Sequence, residues 1–249
     1  MDSARKIEEM FDRRAAATAE VSATARQEST PVPFILSVRD PCEIAHRENG
    51  SSGGAMARRT QAERSEETTA ALVRAARELF GGKGYAATSI DAVAAAAGVT
   101  KGAAYHHFGG KAPLFRAAFE AELAAVYAKL EAVAAEEGDP WAALRRGART
   151  FLEHCLDPGF QRIVMLDAPA VLGWEQVREA EHEYLLRMLL AGFQLAAEGD
   201  EEAAVSARAQ LAFGALCEAG MLLARSPSPA DDLPRVVAEA ERLLRALGG

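Results

Sequence analysis

Apolar and polar positions follow a helical period through most of the chain, and the sharpest break in that period lies between Thr88 and Phe115. Ile90, Val93, Ala94 and Ala97 recur at i, i+3, i+4 and i+7, which predicts a short helix with one apolar face. Ser89 or Thr88 is placed to cap it, and Asp91 puts an anion in its first turn, where the helix dipole favours one. Gly98 ends this helix because it can take a left-handed backbone, and Thr100 caps the next, with Val99 positioned to staple onto Ala104. Ala104 and Phe108, four residues apart, share the inward face of that second helix. Two short helices set at an angle by a glycine turn make a helix-turn-helix. Lys111 then opens a longer helix to about Glu137, whose Leu114, Phe115, Ala118 and Phe119 face the pair.

The same period predicts a helix over 66–80, with Leu72, Ala76, Leu79 and Phe80 inward and Gly81, Gly82 and Gly84 as its end. Beyond Pro140 it predicts helices over 140–156, 159–168, 174–198, 201–225 and 230–247, separated by Pro, Gly and Ser breaks that include Pro169 and Gly173. No strand pattern competes, so the expected class is all-α: an N-terminal helix-turn-helix domain over 56–110, then a helical domain over 111–249. Two long stripes stand out. One holds Ala209, Ala212, Phe213, Leu216, Ala219, Gly220 and Leu223; the other holds Leu233, Val236, Val237, Ala240, Leu243, Leu244 and Leu247. Such stripes suit an internal core, or a four-helix bundle with the same helices of a second subunit.

Residues 1–55 show turn residues and no sustained period, and are expected to form a disordered extension. Met56, followed by Ala57, Arg58 and Arg59, has the look of a start; translation from Met56 is the expected alternative to an accessory tail. Arg58, Arg59 and Arg64 then suit a basic arm entering a minor groove.

If Ala104 and Phe108 face inward, Gly102, Ala103 and His106 point away from the core, with Tyr105 and His107 on the flanks. Gly102 and Ala103 let the backbone approach base edges, and Ala103 can touch a thymine methyl. Ser89, the Thr100 hydroxyl, Tyr105 and His107 can hydrogen-bond phosphates, while Lys101 and Lys111 bracket the helix with positive charge. A net charge of −8 argues against a nucleic-acid partner until it is divided along the chain. Residues 56–125 carry +2, residues 126–249 carry −8 and residues 1–55 carry −2, so repulsion from phosphate is least where the motif lies.

Gly98-Val99-Thr100-Lys101-Gly102, then Tyr105-His106-His107-Phe108 and Lys111, resemble the signature of the TetR family of transcriptional regulators. The likeness extends upstream over the helix and the Gly84-Tyr85 turn that precede Thr88. Two positions depart from the pattern: a bulkier apolar residue is commoner at Ala104, and Gly109-Gly110 replace a polar cap before Lys111. The resemblance implies a homodimer that binds double-stranded operator DNA as a repressor and releases it when a small-molecule effector enters the C-terminal domain. It also favours pairing of the two striped helices across a dimer.

Phe151, His154, Met165, Trp174, Tyr184 and Met188 are the candidates for an effector pocket, mostly apolar with a few polar groups and suited to an apolar or amphipathic molecule. Metal is not expected, because the histidines lack ligand spacing, and no cofactor is implied. The chain lacks a Gly-rich phosphate loop and a G-x-S-x-G nucleophile motif, so no catalytic residue is assigned. An all-helical ligand-binding or enzymatic domain without DNA binding is the alternative; a structural protein that uses its helical stripes for assembly is a third reading, and it leaves the turn motif unexplained. Cys42, Cys155 and Cys217, odd in number and widely spaced, fit reduced thiols. With no apolar run of membrane-spanning length and no signal-like N-terminus, the expected location is the cytoplasm.

Overall fold

The computed structural model describes residues 61–197 and 199–248, and every regular element among them is helical. The expectations for 1–55, for a start at Met56 and for an arm at Arg58 and Arg59 lie outside the described residues. α1 (Gln61–Ala87), α2 (Ile90–Ala96), α3 (Lys101–Phe108) and the long α4 (Lys111–Glu136) come first. α5 (Pro140–His154) follows, and α6 is a continuous run of Pro158–Phe160, a π-helical stretch Gln161–Asp167 and Ala168–Leu172. α7 repeats that construction with Trp174–Glu181, a π-helical His182–Leu186 and Arg187–Ala196. α8 (Glu202–Arg225) and α9 (Pro229–Leu247) complete the described chain.

Of the three glycines expected to end α1, Gly84 does break it, with φ 79°, while the helix runs through Gly81 and Gly82 and resumes after the kink to Ala87. Packing is the reason. A Cβ on Gly81 would stand 2.9 Å from the Cα of Gly159, so this glycine serves close contact between α1 and the start of α6. Pro169 likewise fails to break α6. The wider π-helical turn before it has already shifted the hydrogen-bonding register, and the proline falls in the first turn of Ala168–Leu172, where its missing N–H costs least.

Leu72, Ala76 and Phe80 of α1, Ile90, Val93 and Ala94 of α2, Ala104 of α3 and Leu114, Phe115, Ala118 and Phe119 of α4 are all buried in one cluster. Phe80 and Tyr85 each meet the Phe115 ring edge-on at 5.1 Å. A side chain of this size contributes about 1.5–3 kcal/mol on burial, so α1 and the two short helices can hold a fixed arrangement against α4. Arg77 adds a bidentate ion pair to the buried Glu122 at 2.9 and 3.2 Å, fastening α1 to the middle of α4. The core runs on without a gap along α4 through Leu123 and Val126 to Phe151, Leu152 and Ile163. A second cluster, built on Leu144, Ala148, Phe193, Ala209, Ala212 and Leu244, joins α5, α7, α8 and α9.

The predicted stripe of α8 is the inward face of this chain: Ala209, Ala212, Phe213, Gly220 and Leu223 are buried within it. Gly220 lies so close to Met165 and Cys155 that a Cβ would be 2.8 and 2.9 Å from them. Leu211 and Leu222 instead stand 66% and 52% exposed on the other side of α8, and Leu243 of α9 is 38% exposed. Ala215, Ala219, Leu222, Val236, Ala240 and Leu243 line an open apolar groove between the two helices.

Candidate nucleic-acid interface and effector cavities

Both short helices are capped as their sequences suggest. Ser89 Oγ accepts from the Ala92 N–H at 3.1 Å, and Thr100 Oγ1 accepts from the Ala103 N–H at 3.1 Å. Each hydroxyl therefore keeps its own O–H as a donor. Thr88, the other cap candidate, is buried and donates to the carbonyls of Leu79 and Gly84, bracing the turn after α1. Gly98 at φ 69° and Gly109 at φ 71° supply the left-handed residues at the ends of α2 and α3.

Ala104 is fully buried, which fixes the roll of α3. Lys101, Gly102, Tyr105 and His106 are exposed on one side, with Ala103 and His107 half-buried at its margins. A Cβ built on Gly102 would meet nothing nearer than the Thr100 hydroxyl at 4.0 Å, so this side of α3 is open. Gly110 precedes α4 in an extended conformation and no side chain caps that helix.

Three of the expected contacts are altered by neighbours. Lys101 is not an isolated charge: its Nζ lies 2.8 Å from Asp91 Oδ2 across the turn, and that bond and charge raise its pKa. His107 Nδ1 lies 3.0 Å from Thr69 Oγ1, while the same hydroxyl lies 3.0 Å from the Ser65 carbonyl. The contact between His107 and Thr69 braces α3 to α1. Lys111 sits 4.1 Å from the Tyr85 ring centroid and 3.5 Å from the Ala86 carbonyl. A cation in the first turn of a helix opposes the dipole, so this position costs stability unless an anion approaches it.

The helical region beyond α4 holds two adjoining cavities. One, of about 250 Å³, lies among α4, α5, α7 and α8 and includes Phe151 and Met188 in its wall. The other, of about 470 Å³, is walled by α6, α7 and α8 with Leu123 of α4 and Phe151 of α5, and includes Met165 and Trp174. Phe151, Leu185 and Cys217 belong to both walls. Trp174 stands 60% exposed at the second cavity.

Tyr184 and His154 lie on neither wall, contrary to the expectation from sequence. The π-helical turn at His182–Leu186 rotates Tyr184 toward α4, where its ring meets Tyr127 at 6.3 Å. His154 is drawn to Lys129, whose Nζ lies 2.9 Å from Nδ1, and to the Phe160 ring at 4.7 Å. An ammonium only donates, so Nδ1 accepts and the hydrogen sits on Nε2, a buried atom without a partner. Burial first, and Lys129 second, lower the pKa of this ring. The charged groups at the second cavity are instead Arg178, Glu181, Glu218 and Arg225, which sequence inspection did not single out; Arg178 and Glu181 form an i, i+3 ion pair, which on a helix ordinarily marks a solvated face.

Residues 72–118 match the family model described as bacterial regulatory proteins of the tetR family, and residues 141–247 match that of the tetracyclin repressor-like C-terminal domain. The chain is 33% identical over 125 residues to the transposon Tn10 TetC protein of Escherichia coli, covering 50% of this chain and 63% of that protein. It is 36% identical over 111 residues to the HTH-type transcriptional regulator AcrR of Shigella flexneri, covering 44% of this chain and 51% of that protein. The matched stretches thus span less than two thirds of these curated relatives. A solved TetR-family transcriptional regulator from Pectobacterium atrosepticum superposes with a TM-score of 0.63 at 37% identity, covering 76% of this chain and 97% of that one. With its helix-turn-helix, its helical C-terminal region and a relative matched over nearly its whole length, this chain belongs to the TetR family of transcriptional regulators.

Proposed function

We propose that this protein is a ligand-responsive, DNA-binding transcriptional repressor that acts as a homodimer on a pseudo-palindromic operator. The observation that carries the reading is the open side of α3. A buried Ala104 turns Gly102, Ala103, Tyr105 and His106 outward, between the two hydroxyls and two lysines that flank the helix. Gly102, Ala103 and His106 take the base edges of a major groove, and the Ser89 and Thr100 hydroxyls, Tyr105 and Lys111 take phosphates. Lys101 serves once phosphate competes with Asp91, and His107 positions α3 from behind.

The exposed leucines of α8 and α9 and the groove between them support pairing with a second copy, since large apolar residues seldom cluster at the surface of a monomer. Two-fold pairing then presents two α3 helices to half-sites about one helical turn apart, roughly 34–36 Å, or farther if the dimer spreads them. A small apolar or amphipathic effector fits the two cavities, whose volumes suit a small organic molecule. It releases the operator by binding one spacing of the two α3 helices better than the other.

A mobility shift on the DNA flanking its own gene tests the reading. Wild type is expected to retard a specific fragment, and replacing Lys101, Tyr105, His106 and Lys111 together by Ala is expected to abolish retardation with the helical content unchanged. Undiminished operator affinity in that variant would defeat the assignment.

A further inference from the structure

We infer that the cavity at Arg178 and Glu181 is an organic-anion site: its ligand places a carboxylate or similar oxyanion on the Arg178 guanidinium and an aromatic or acyl body among Phe151, Phe160 and Met165. The inference rests on the ligand-responsive reading above and adds the chemical class of the effector.

Arg178 is held for such a role. Its guanidinium carbon lies 5.0 Å from the Trp174 ring centroid and 5.4 Å from that of Phe213, so two aromatic rings fix the cation beside the cavity. A guanidinium has five N–H donors. Here the ion pair to Glu181 is a single approach of 3.5 Å. Donors therefore remain for a planar oxyanion, which the guanidinium fork matches in geometry.

Glu181 is the group an anion would displace. Burial pushes its carboxyl pKa up and Arg178 alone opposes the shift, so a ligand anion that takes over Arg178 meets a neighbour that gives up its charge readily. A ligand cation would instead have to settle beside a guanidinium that two rings hold in place. Arg225 and Glu218 also line this cavity, so its wall carries two basic and two acidic side chains before a ligand arrives. The adjoining cavity offers no cation at all, since Glu137 is its one charged residue.

The walls also say why an anion here would matter. Val164, Met165 and Leu166 face this cavity from the π-helical stretch of α6, and the next residue, Asp167, bonds to the DNA-reading end of the molecule. π-helical turns carry an unfavourable register that a bound ligand can relieve or enforce.

The test is calorimetric titration of the full-length protein, without DNA, with hexyl to dodecyl chains and phenylalkyl bodies, each bearing a carboxylate, an alcohol or an ammonium head. For at least one body the carboxylate is expected to bind about tenfold or more tightly than its alcohol. Arg178→Met is expected to erase that preference while the alcohol binds as before, and Arg178→Lys to keep part of it. Glu181→Gln removes the competing anion and is expected to tighten the carboxylate several-fold, a gain that mere structural damage would not give. If Arg178→Met does not fold, the Arg178→Lys and Glu181→Gln titrations decide. Equal affinity for carboxylates and alcohols, a preference that survives Arg178→Met, tightest binding by the ammonium series, or no carboxylate binding would each overturn the inference. Because no DNA is present, failure of the mobility shift strikes the regulatory reading alone, and failure here strikes the anion site alone.

Discussion

The backbone N–H of Tyr85 donates a 2.7 Å hydrogen bond to Oδ2 of Asp167. Tyr85 follows the Gly84 kink near the end of α1, packs on Phe80 and Phe115, and has Lys111 over its ring. Asp167 ends the π-helical stretch that forms part of a cavity wall. Eighty-two residues apart in sequence, the two groups join the helix-turn-helix to the cavity-bearing helical region by a route separate from α4. The neighbouring contact of Arg162 with Gly84 runs alongside it; a Cβ on Gly84 would stand 2.9 Å from the guanidinium.

Asp167→Asn keeps the size of this acceptor and removes its charge, and a hydrogen bond to a charged group is worth about 1.5–3 kcal/mol. Coupling between effector and operator is typically about 1–3 kcal/mol. The variant should bind ligand as wild type does in the absence of DNA, yet show a smaller ratio between ligand affinities for free protein and operator complex. Titrations with and without operator measure that ratio, and an unchanged ratio would leave α4 as the sole route.

Salt dependence separates the two lysines. Lys111→Ala should reduce the slope of log affinity against log salt by roughly 0.9, because one phosphate contact and its released counterion are lost. Lys101→Ala should reduce it by less, since Asp91 already neutralises that ammonium, and Asp91→Ala should strengthen binding to all sequences. Replacing Ala103 or His106 should instead shift preference by about 1–3 kcal/mol at particular base pairs. Fluorescence anisotropy across a salt series distinguishes these patterns.

Leu243 and Leu244 are adjacent and unequal. Leu244 is buried in the chain's own second cluster, so Leu244→Glu should unfold the protein and says nothing about association. Leu243→Glu with Leu222→Glu alters exposed positions of the α8–α9 groove and should leave a folded monomer with weakened operator binding. Sedimentation together with circular dichroism checks it; a dimer that survives both substitutions would place the interface elsewhere.

Trp174 and Phe151 differ in the same way. Phe151 is nearly fully buried, and its truncation to Ala should cost about 3–5 kcal/mol whatever it does to a ligand. Trp174→Ala, at an exposed position, should lower the response to an anionic effector with little change in melting temperature and none in operator affinity without effector. Melting curves and mobility shifts read the three quantities separately.

Stability should fall in mild acid through His154. Its pKa lies below the ordinary 6.5 because burial and Lys129 disfavour the imidazolium, with Asp157 and Glu122 opposing. The unfolded chain therefore takes up the proton first, so the stabilisation is present above pH 6.5 and is lost as pH falls from there toward the lower folded value. His154→Gln, whose carbonyl can still accept from Lys129, should flatten denaturant midpoints measured between about pH 7.5 and 5.5. His182 is shifted in the same direction and will leave a residual slope.

The helical class, the glycine turn at Gly98, the caps Ser89 and Thr100 and the inward set Ile90, Val93, Ala94 and Ala104 were legible in sequence. Each depends on residues within about one helical turn, so local period and capping chemistry are sufficient. What Lys101, His107, Tyr184 and His154 actually touch was not legible, because Asp91, Thr69, Tyr127 and Lys129 reach them across helix crossings that no periodicity records. Nor could the stripes of α8 say which face meets the chain's own core, since internal and intersubunit packing ask for the same apolar side chains. The π-helical turns of α6 and α7 were invisible for a related reason: a one-residue register shift leaves composition unchanged and is stabilised by tertiary packing alone. With Tyr184 against Tyr127 and Arg178 and Glu181 at the wall, tertiary packing decided the chemistry of the cavity.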